Sequence, residues 1–390
     1  MALADRWLLP EGIKELLPPQ ARQAELMRRR ILDLYNSWGY ELVMPPLVEH
    51  LESLLTGTGR DLDLITFKLT DRQSGHALGI RADITPQVAR IDAHRLRTEG
   101  ASRLCYCGSV IHTHAAHMLA SRNPLQAGAE LYGHAGIESD AEIIALMLET
   151  LHAAGISDVL TLDLGHVGLF RALVREAGLD QEQKDQFIDL LQRKAMPEIA
   201  VFIETLPVSE TLRKQLSVLP SLHGTVEVLA KARDCFNQPE ARQAIDYLAQ
   251  LAALIQQRYP TVRCYFDLAE LRGYHYHTGV VFAAYTPSYG QSLAKGGRYD
   301  EIGEDFGRAR PATGFSTDLS TLIDLAGVTA EAEKAILAPA DVSDSALQDR
   351  VRTLRQQGYR VIQMLDGLPV PASCDRRLEN QGGEWQIKPL

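Results

Sequence analysis

From about residue 168 to 258 the chain reads as one helix after another, and strand-like segments lie on both sides of that block. "LFRALVREAGL", "QKDQFIDLLQRKA", "PEIAVFIETL" and "EARQAIDYLAQLAALIQQRY" repeat apolar residues at the spacing of an amphipathic helix. "RLCYCGSVIHTH", "PLQAGAELYGHAG" and "VLTLDLGH" precede the block, and "VRCYFDLAEL", "HTGVVFAAYT", "QSLAKGGRYDEI" and "ATGFSTDL" follow it. These segments are short, apolar and rich in β-branched and aromatic residues, as strands are. One sheet drawn from both halves and interrupted by helices satisfies this order. The expectation is an α+β domain over residues 1–328, a mostly antiparallel sheet flanked by helices, with a helical insertion at about 168–258.

Local signals punctuate this plan. A first helix runs from Pro18 and Pro19 to Gly39. In "YELVMPPLVEH", Pro45 and Pro46 interrupt an extended segment or place it at an edge. In "SDAEIIALMLETLHAAG", Ser139 and Glu142 have capping-box spacing, and Gly155 stands at the C-terminal cap. Residues 329–390 form a small second domain, in which "AILAP", "DSALQDRVRTLRQQG" and "YRVIQML" read as β-α-β with parallel strands. The tail "PVPASCDRRLENQGGEWQIKPL" reads as irregular.

Two cysteines and three histidines fall within residues 105–117. If the segment is a strand, Cys105 and Cys107 share one face and His112 and His114 the other, so four ligands do not converge on one zinc ion. Ordinary strand residues beside a polar pocket fit better, and no metal or other cofactor is implied. Five cysteines at irregular positions are no disulfide framework and suit a reducing cytosol. The N-terminus has no signal-peptide pattern, and no stretch is long and apolar enough for a membrane helix. A net charge of −10 without a basic run argues against phosphate-based nucleic-acid binding.

Several segments carry residues suited to one pocket. "RADITPQ" supplies Asp83 and Thr85, and "PLQAGAE" supplies Gln126 and Glu130, which share a strand face because their separation is even. "ELRGYHYHTG" supplies Arg272, Tyr276 and His277, and "KGGRYD" supplies Arg298 and Tyr299. A carboxylate with a hydroxyl suits an ammonium group, an arginine a carboxylate, and a glutamate beside a glutamine a polar heterocycle with N–H donors. Each has a plainer reading too. Glu130 and Gln126 fit a solvated strand face, Arg272 a surface ion pair, and Gly296–Gly297 a hairpin turn.

"GIKELLPPQA", "GYELVMPPLVEH", "RADITPQVAR", "QAGAELYG", "LRGYHYHTGVVF", "KGGRYDEI" and "TGFSTDL" occur in the order seen in histidyl-tRNA synthetase, across residues 10–322. The chain resembles that family, which implies a class II synthetase-like fold with a dimer interface around "GYELVMPPLVEH". By this resemblance Asp83 stands where a glutamate meets the amino group, one methylene shorter. Thr85 and Gln126 match residues that also bind there. Glu130 matches the acid facing the imidazole, Arg272 the arginine near the carboxylate, and Tyr276 and Tyr299 belong to the same histidine pocket. His277 replaces a tyrosine.

The nucleotide side departs from the family. His112 and His114 stand where it carries the arginine and glutamate of F-R-x-E, and Thr321 where an arginine holds the terminal phosphates. Adenylation builds negative charge at phosphorus, which arginine meets with a permanent charge and a planar fork. One lost preorganised donor typically costs about 10²–10³ in rate. The family's anticodon-binding domain is also cut to about sixty residues, a size that suggests lost tRNA recognition.

The chain is therefore similar to the regulatory subunits of ATP phosphoribosyltransferase, which resemble synthetases without aminoacylating. This resemblance implies a cytoplasmic, non-catalytic protein required for the first step of histidine biosynthesis. It implies a homodimer within a hetero-oligomer, with the short-form catalytic subunit as partner, no tRNA and no membrane, and L-histidine as feedback effector. The effector site stays open between the inherited pocket, the subunit interface and the catalytic partner. The alternative is a divergent synthetase-like enzyme that adenylates histidine. A metal- or nucleic-acid-binding module is a third reading.

Overall fold

The computed structural model describes residues 7–56, 59–115, 117, 120–304, 306–327 and 334–390. They group into two compact units, residues 7–15 with 24–327, and residues 16–23 with 334–390.

Helix α1 (Gln20–Ser37) buries Ala24, Ile31 and Tyr35 and stops at Gly39, whose φ of 81° is left-handed. The extended segment splits at its two prolines into β1 (Glu41–Leu42) and β2 (Val48–His50). Short helices α2 (Leu51–Leu55) and α3 (Gly59–Ile65) lead to β3 (Phe67–Thr70) and β4 (Ala77–Ile80), and β2, β4 and β3 form a small antiparallel sheet. Helix α4 (Thr85–Arg90) follows and widens into a π-helical turn over Ile91–Leu96. Then come β5 (Ser102–Ser109), β6 (Leu125–Tyr132), α5 (Ile137–Ala153) and β7 (Thr161–His166).

The helical block is α6 (Val167–Glu176), α7 (Gln181–Gln192), α8 (Met196–Thr205), α9 (Glu210–Val218), α10 (Glu227–Cys235) and α11 (Pro239–Arg258), with the two-residue β8 (His223–Gly224) inside it. Strands β9 (Arg263–Asp267), β10 (Val280–Thr286), β11 (Tyr289–Arg298) and β12 (Ala312–Asp318) resume the sheet, and α12 (Leu319–Ala326) closes the unit. The main sheet has nine strands in the order β1-β5-β6-β12-β11-β10-β7-β9-β8. Two of its pairings are parallel, β1 with β5 and β7 with β9, and the rest are antiparallel. β7 and β9, which flank the helical block in sequence, are parallel neighbours in the sheet. One face is covered by a continuous apolar core in which Leu162, Leu164, Ala127 and Ala129 meet residues of α5, α6 and α11.

Three local expectations for the main unit are corrected. β5 ends at Ser109, so strand alternation does not reach His112 and His114; Cys105 and Cys107 do lie within the strand, both against the main core. Helix α5 begins at Ile137, with Gly136 at its N-cap. Ser139 therefore sits inside the first turn, and Glu142 pairs with Arg103 and Tyr40 instead of closing a capping box. Gly296 and Gly297 lie in the middle of β11 and make no turn.

In the second unit, β13 (Ala335–Ala338), α13 (Ser345–Gln356) and β14 (Val361–Gln363) form the expected parallel β-α-β. The tail is not irregular. It is a hairpin of β15 (Cys374–Gln381) and β16 (Glu384–Pro389) turning on Gly382 and Gly383, both at positive φ. β15 also pairs parallel with β13, which completes a four-stranded sheet. Leu378, Trp385 and Ile387 join the small core, and the rest of the hairpin is largely polar, so its alternation is faint in sequence.

Candidate functional site

The site lies on the second face of the main sheet. Cross-strand partners share a face, so the register sets two adjacent rows across five strands. One runs Asp163–Ala283–Lys295–Ser316–Gly128, the other Gly165–Val281–Gly297–Gly314–Glu130. The second row is mostly glycine, which leaves a hollow above the strands. Other walls come from Asp83 and Thr85 at the start of α4, the loop between β9 and β10, and Tyr299 just past β11. Together they enclose a cavity of about 400 Å³.

Glu130 lies at its closed end, 1% exposed. It accepts hydrogen bonds from Thr85 Oγ1 at 2.9 Å, from the Tyr106 hydroxyl at 3.0 Å and from the Tyr299 hydroxyl. Burial outweighs these three donors, and nearby Asp83 adds to it, so the Glu130 carboxyl is pushed up to about 8. A β-carbon on Gly314 would collide with Glu130 Oε2 and lie 2.8 Å from the Tyr299 hydroxyl. Gly314→Ala is therefore expected to destabilise the main unit by about 1–3 kcal/mol, read as a lower denaturant midpoint; an unchanged midpoint would mean the floor yields without cost.

Asp83 accepts from the Thr85 backbone N–H and from Gln126 Nε2, both at 2.9 Å. Gln126 Oε1 in turn accepts from the Ile84 N–H at 2.9 Å. Gln126 thus braces Asp83 from behind and is not part of the cavity wall. Tyr276 stacks on Tyr299 with ring centroids 4.8 Å apart. The buried Tyr276 hydroxyl and Asp163 Oδ1 have no hydrogen-bond partner among the described residues. Two unmatched polar atoms among the lining residues favour a polar occupant.

The opposite end is crowded with charge. Arg272, half exposed, donates to Tyr285 at 2.8 Å, pairs with Glu270 and lies 3.9 Å from Asp163. Its ion-pair reading is thus correct, though it also lines the cavity. Burial, together with Asp267 and Glu270, pushes the Asp163 carboxyl up to about 7. His277 packs between Gly273 and Gly297, and burial holds its imidazole down to about 4, hence neutral near pH 7. The helical block grips this loop from behind: Gln192 Nε2 donates to Leu271 O at 3.1 Å, Arg171 to His277 O at 2.9 Å, and Lys194 pairs with Asp267 at 3.0 Å.

Arg298 does not reach the cavity. It follows Gly297 on β11 and so faces the other way, pairing with buried Asp140 at 3.0 Å and capping the start of α5 through Ser139 and Gly136. Asp163, Glu270 and Lys295 line the cavity and were not singled out from the sequence. The one local signal was a charged residue, Asp163, between Leu162 and Leu164.

The three nucleotide-side positions are held in internal bonds. His112 Nε2 lies 2.9 Å from Ala82 O, exposed His114 bonds Thr113 at 3.0 Å, and Thr321 donates to Asp318 at 2.9 Å. None of them lines the cavity. Nearby Arg81 is also spent, donating to Ser109 O and Pro45 O. Among the described residues no group of His, Cys, Asp and Glu is arranged to hold a metal ion, and no helix is long and apolar enough to cross a membrane.

The family profile described as histidyl-tRNA synthetase matches residues 12–322. A solved histidyl-tRNA synthetase from Nostoc sp. PCC 7120 superposes with a TM-score of 0.77 at 19% identity, covering 98% of this chain and 97% of that one. The fold is thus of the class II, histidyl-tRNA synthetase-like kind. A second profile, "ATP phosphoribosyltransferase subunit HisZ C-terminal domain", matches residues 333–388. The ATP phosphoribosyltransferase regulatory subunits of Thioalkalivibrio sulfidiphilus and Pseudomonas fluorescens are each 53% identical over the full length of both chains. A Bacillus halodurans structure titled as an ATP phosphoribosyltransferase regulatory subunit/histidyl-tRNA synthetase superposes with a TM-score of 0.82 at 27% identity, covering 93% of this chain and 94% of that one. The chain belongs to the family of ATP phosphoribosyltransferase regulatory subunits.

Proposed function

We propose that this chain is the non-catalytic regulatory partner of a short-form ATP phosphoribosyltransferase catalytic subunit, acting in the first step of histidine biosynthesis. It binds L-histidine in the Glu130 cavity and carries feedback to the catalytic partner, a coupling free energy between two sites. It works in the cytosol as a homodimer within a hetero-oligomer and neither charges nor binds tRNA. Residues 1–328 supply the synthetase-like domain and 329–390 the small second one.

One observation carries this reading: Asp83, Thr85, Glu130, Arg272 and Tyr299 line one cavity, while His112, His114 and Thr321 are committed to internal bonds. Asp83 and Thr85 suit an ammonium group, Glu130 an imidazole, and Arg272 a carboxylate. Nothing at the three exchanged positions supplies the fixed cations that a triphosphate requires. Co-purification with the catalytic subunit, assayed with and without L-histidine, tests the proposal. A stable complex inhibited by histidine is expected; failure to associate, or turnover indifferent to histidine, contradicts it.

The nucleotide side yields its own test. His112→Arg alone is expected to leave histidine-dependent pyrophosphate exchange at background, because His114 and Thr321 are unchanged. Adenylate formation by that single variant would show that one cation suffices.

A further inference from the structure

We propose that Glu270 is an internal stand-in for a ligand carboxylate, holding Arg272 while the cavity is empty and yielding it when an amino acid enters; this rests on the reading of the cavity as an amino-acid site. Glu270 engages Arg272 twice, accepting from its backbone N–H at 2.7 Å through Oε1 and from its guanidinium through Oε2. Among the described residues only Arg272 and Lys295 bring cations to the cavity wall. Lys295 lies two strands from Asp163 in the cross-strand row, about 10 Å away. A carboxylate entering at Arg272 therefore meets Glu270 and Asp163 already in place.

A third anion in front of one guanidinium is strongly opposed in a half-buried setting. Asp267 and Glu270 already stand close enough to Asp163 to add to the effect of burial in raising its carboxyl. One acid must yield, and the structure singles out which. Asp163 is fixed within β7, between β10 and β9. Asp267 is held by Lys194 and by the Ala269 N–H. Glu270 closes a turn with its N–H on Asp267 O at 3.1 Å, and both hydrogen bonds of its carboxylate go to Arg272. The backbone around it is clamped at Leu271 and His277 by Gln192 and Arg171. The exchange is thus a side-chain event in which Glu270 swings away and Arg272 stays.

The consequence is selectivity. Glu270 taxes every ligand that brings a carboxylate and leaves untouched, or even favours, an amine that lacks one. The test compares L-histidine with L-histidinol, in which a hydroxymethyl group replaces the carboxylate. Dissociation constants are measured by titration calorimetry on the full chain and on Glu270→Gln and Glu270→Ala. The ratio of the histidinol constant to the histidine constant is expected to rise about tenfold in both variants, the order of one charge-assisted hydrogen bond. General damage to the fold weakens both ligands together and leaves the ratio in place. A ratio that stays or falls while the unaltered chain binds histidine overturns the role of Glu270 and leaves the amino-acid site standing. An unaltered chain that binds neither ligand overturns the amino-acid site, and the stand-in with it.

Discussion

Replacing Glu130 with alanine is expected to weaken L-histidine binding about a hundredfold and to release the reconstituted complex from histidine inhibition. The carboxyl is the closed end of the cavity and the acceptor for three hydroxyls, from Thr85, Tyr106 and Tyr299. Its loss removes the partner for an imidazole N–H and leaves those hydroxyls to find other acceptors. Titration calorimetry reads the first effect and inhibition curves the second; wild-type affinity in the variant would remove the cavity from the account. The same residue makes a pH prediction. Its carboxyl is pushed from 4.5 up to about 8, chiefly by burial. Between those values the folded chain keeps a proton that the unfolded chain releases, so stability falls as pH rises through the window. His166 and His277, both pushed down from 6.5 to about 4, act with the opposite sign and only below 6.5. From pH 6.5 to 8, Glu130→Gln is therefore expected to gain about 2 kcal/mol on the unaltered chain. Parallel stability curves for the two proteins would show that Glu130 titrates normally.

Arg298→Ala is expected to cost the main unit about 3–5 kcal/mol. The guanidinium is 7% exposed, and its partner Asp140 is fully buried. It also donates to Ser139 Oγ at 2.8 Å and to the carbonyls of His134 and Gly136, which ties β11 to the start of α5. Truncation strands a carboxylate that no water reaches, and that penalty exceeds the value of the pair itself. Chemical denaturation followed by circular dichroism reads the loss. A change below 1 kcal/mol would mean that other donors satisfy Asp140, with the Tyr247 hydroxyl the first candidate.

Arg298 also marks where the sequence misled. "KGGRYD" places it one residue from Tyr299 and suggests a shared pocket, but strand alternation sends Gly297 to the cavity and Arg298 to the helix behind it. The helical block and the β-α-β of the second unit were legible because their apolar periods are strong and long. The final hairpin was not, since its Gly382–Gly383 turn was visible but its strands carry few apolar residues. Glu130, Asp83 and Thr85 were found through motif order, and the structure places all three at one cavity. Asp163 and Glu270 stayed hidden because their position depends on sheet register and on a loop folding back. No local pattern encodes a pairing between residues 163 and 283. The end of β5 before His112 was missed for a related reason. "SVIHTH" has strand composition, but its last residues are drawn away to Ala82 and to an isolated bridge with Thr66.

The central claim is that an amino-acid site survives in a cleft that no longer handles a triphosphate. Histidine-dependent ATP–pyrophosphate exchange by the purified chain tests it most directly. Exchange no faster than a protein-free control is expected, in a preparation shown by calorimetry to bind histidine. Sustained exchange that requires both histidine and ATP would contradict it.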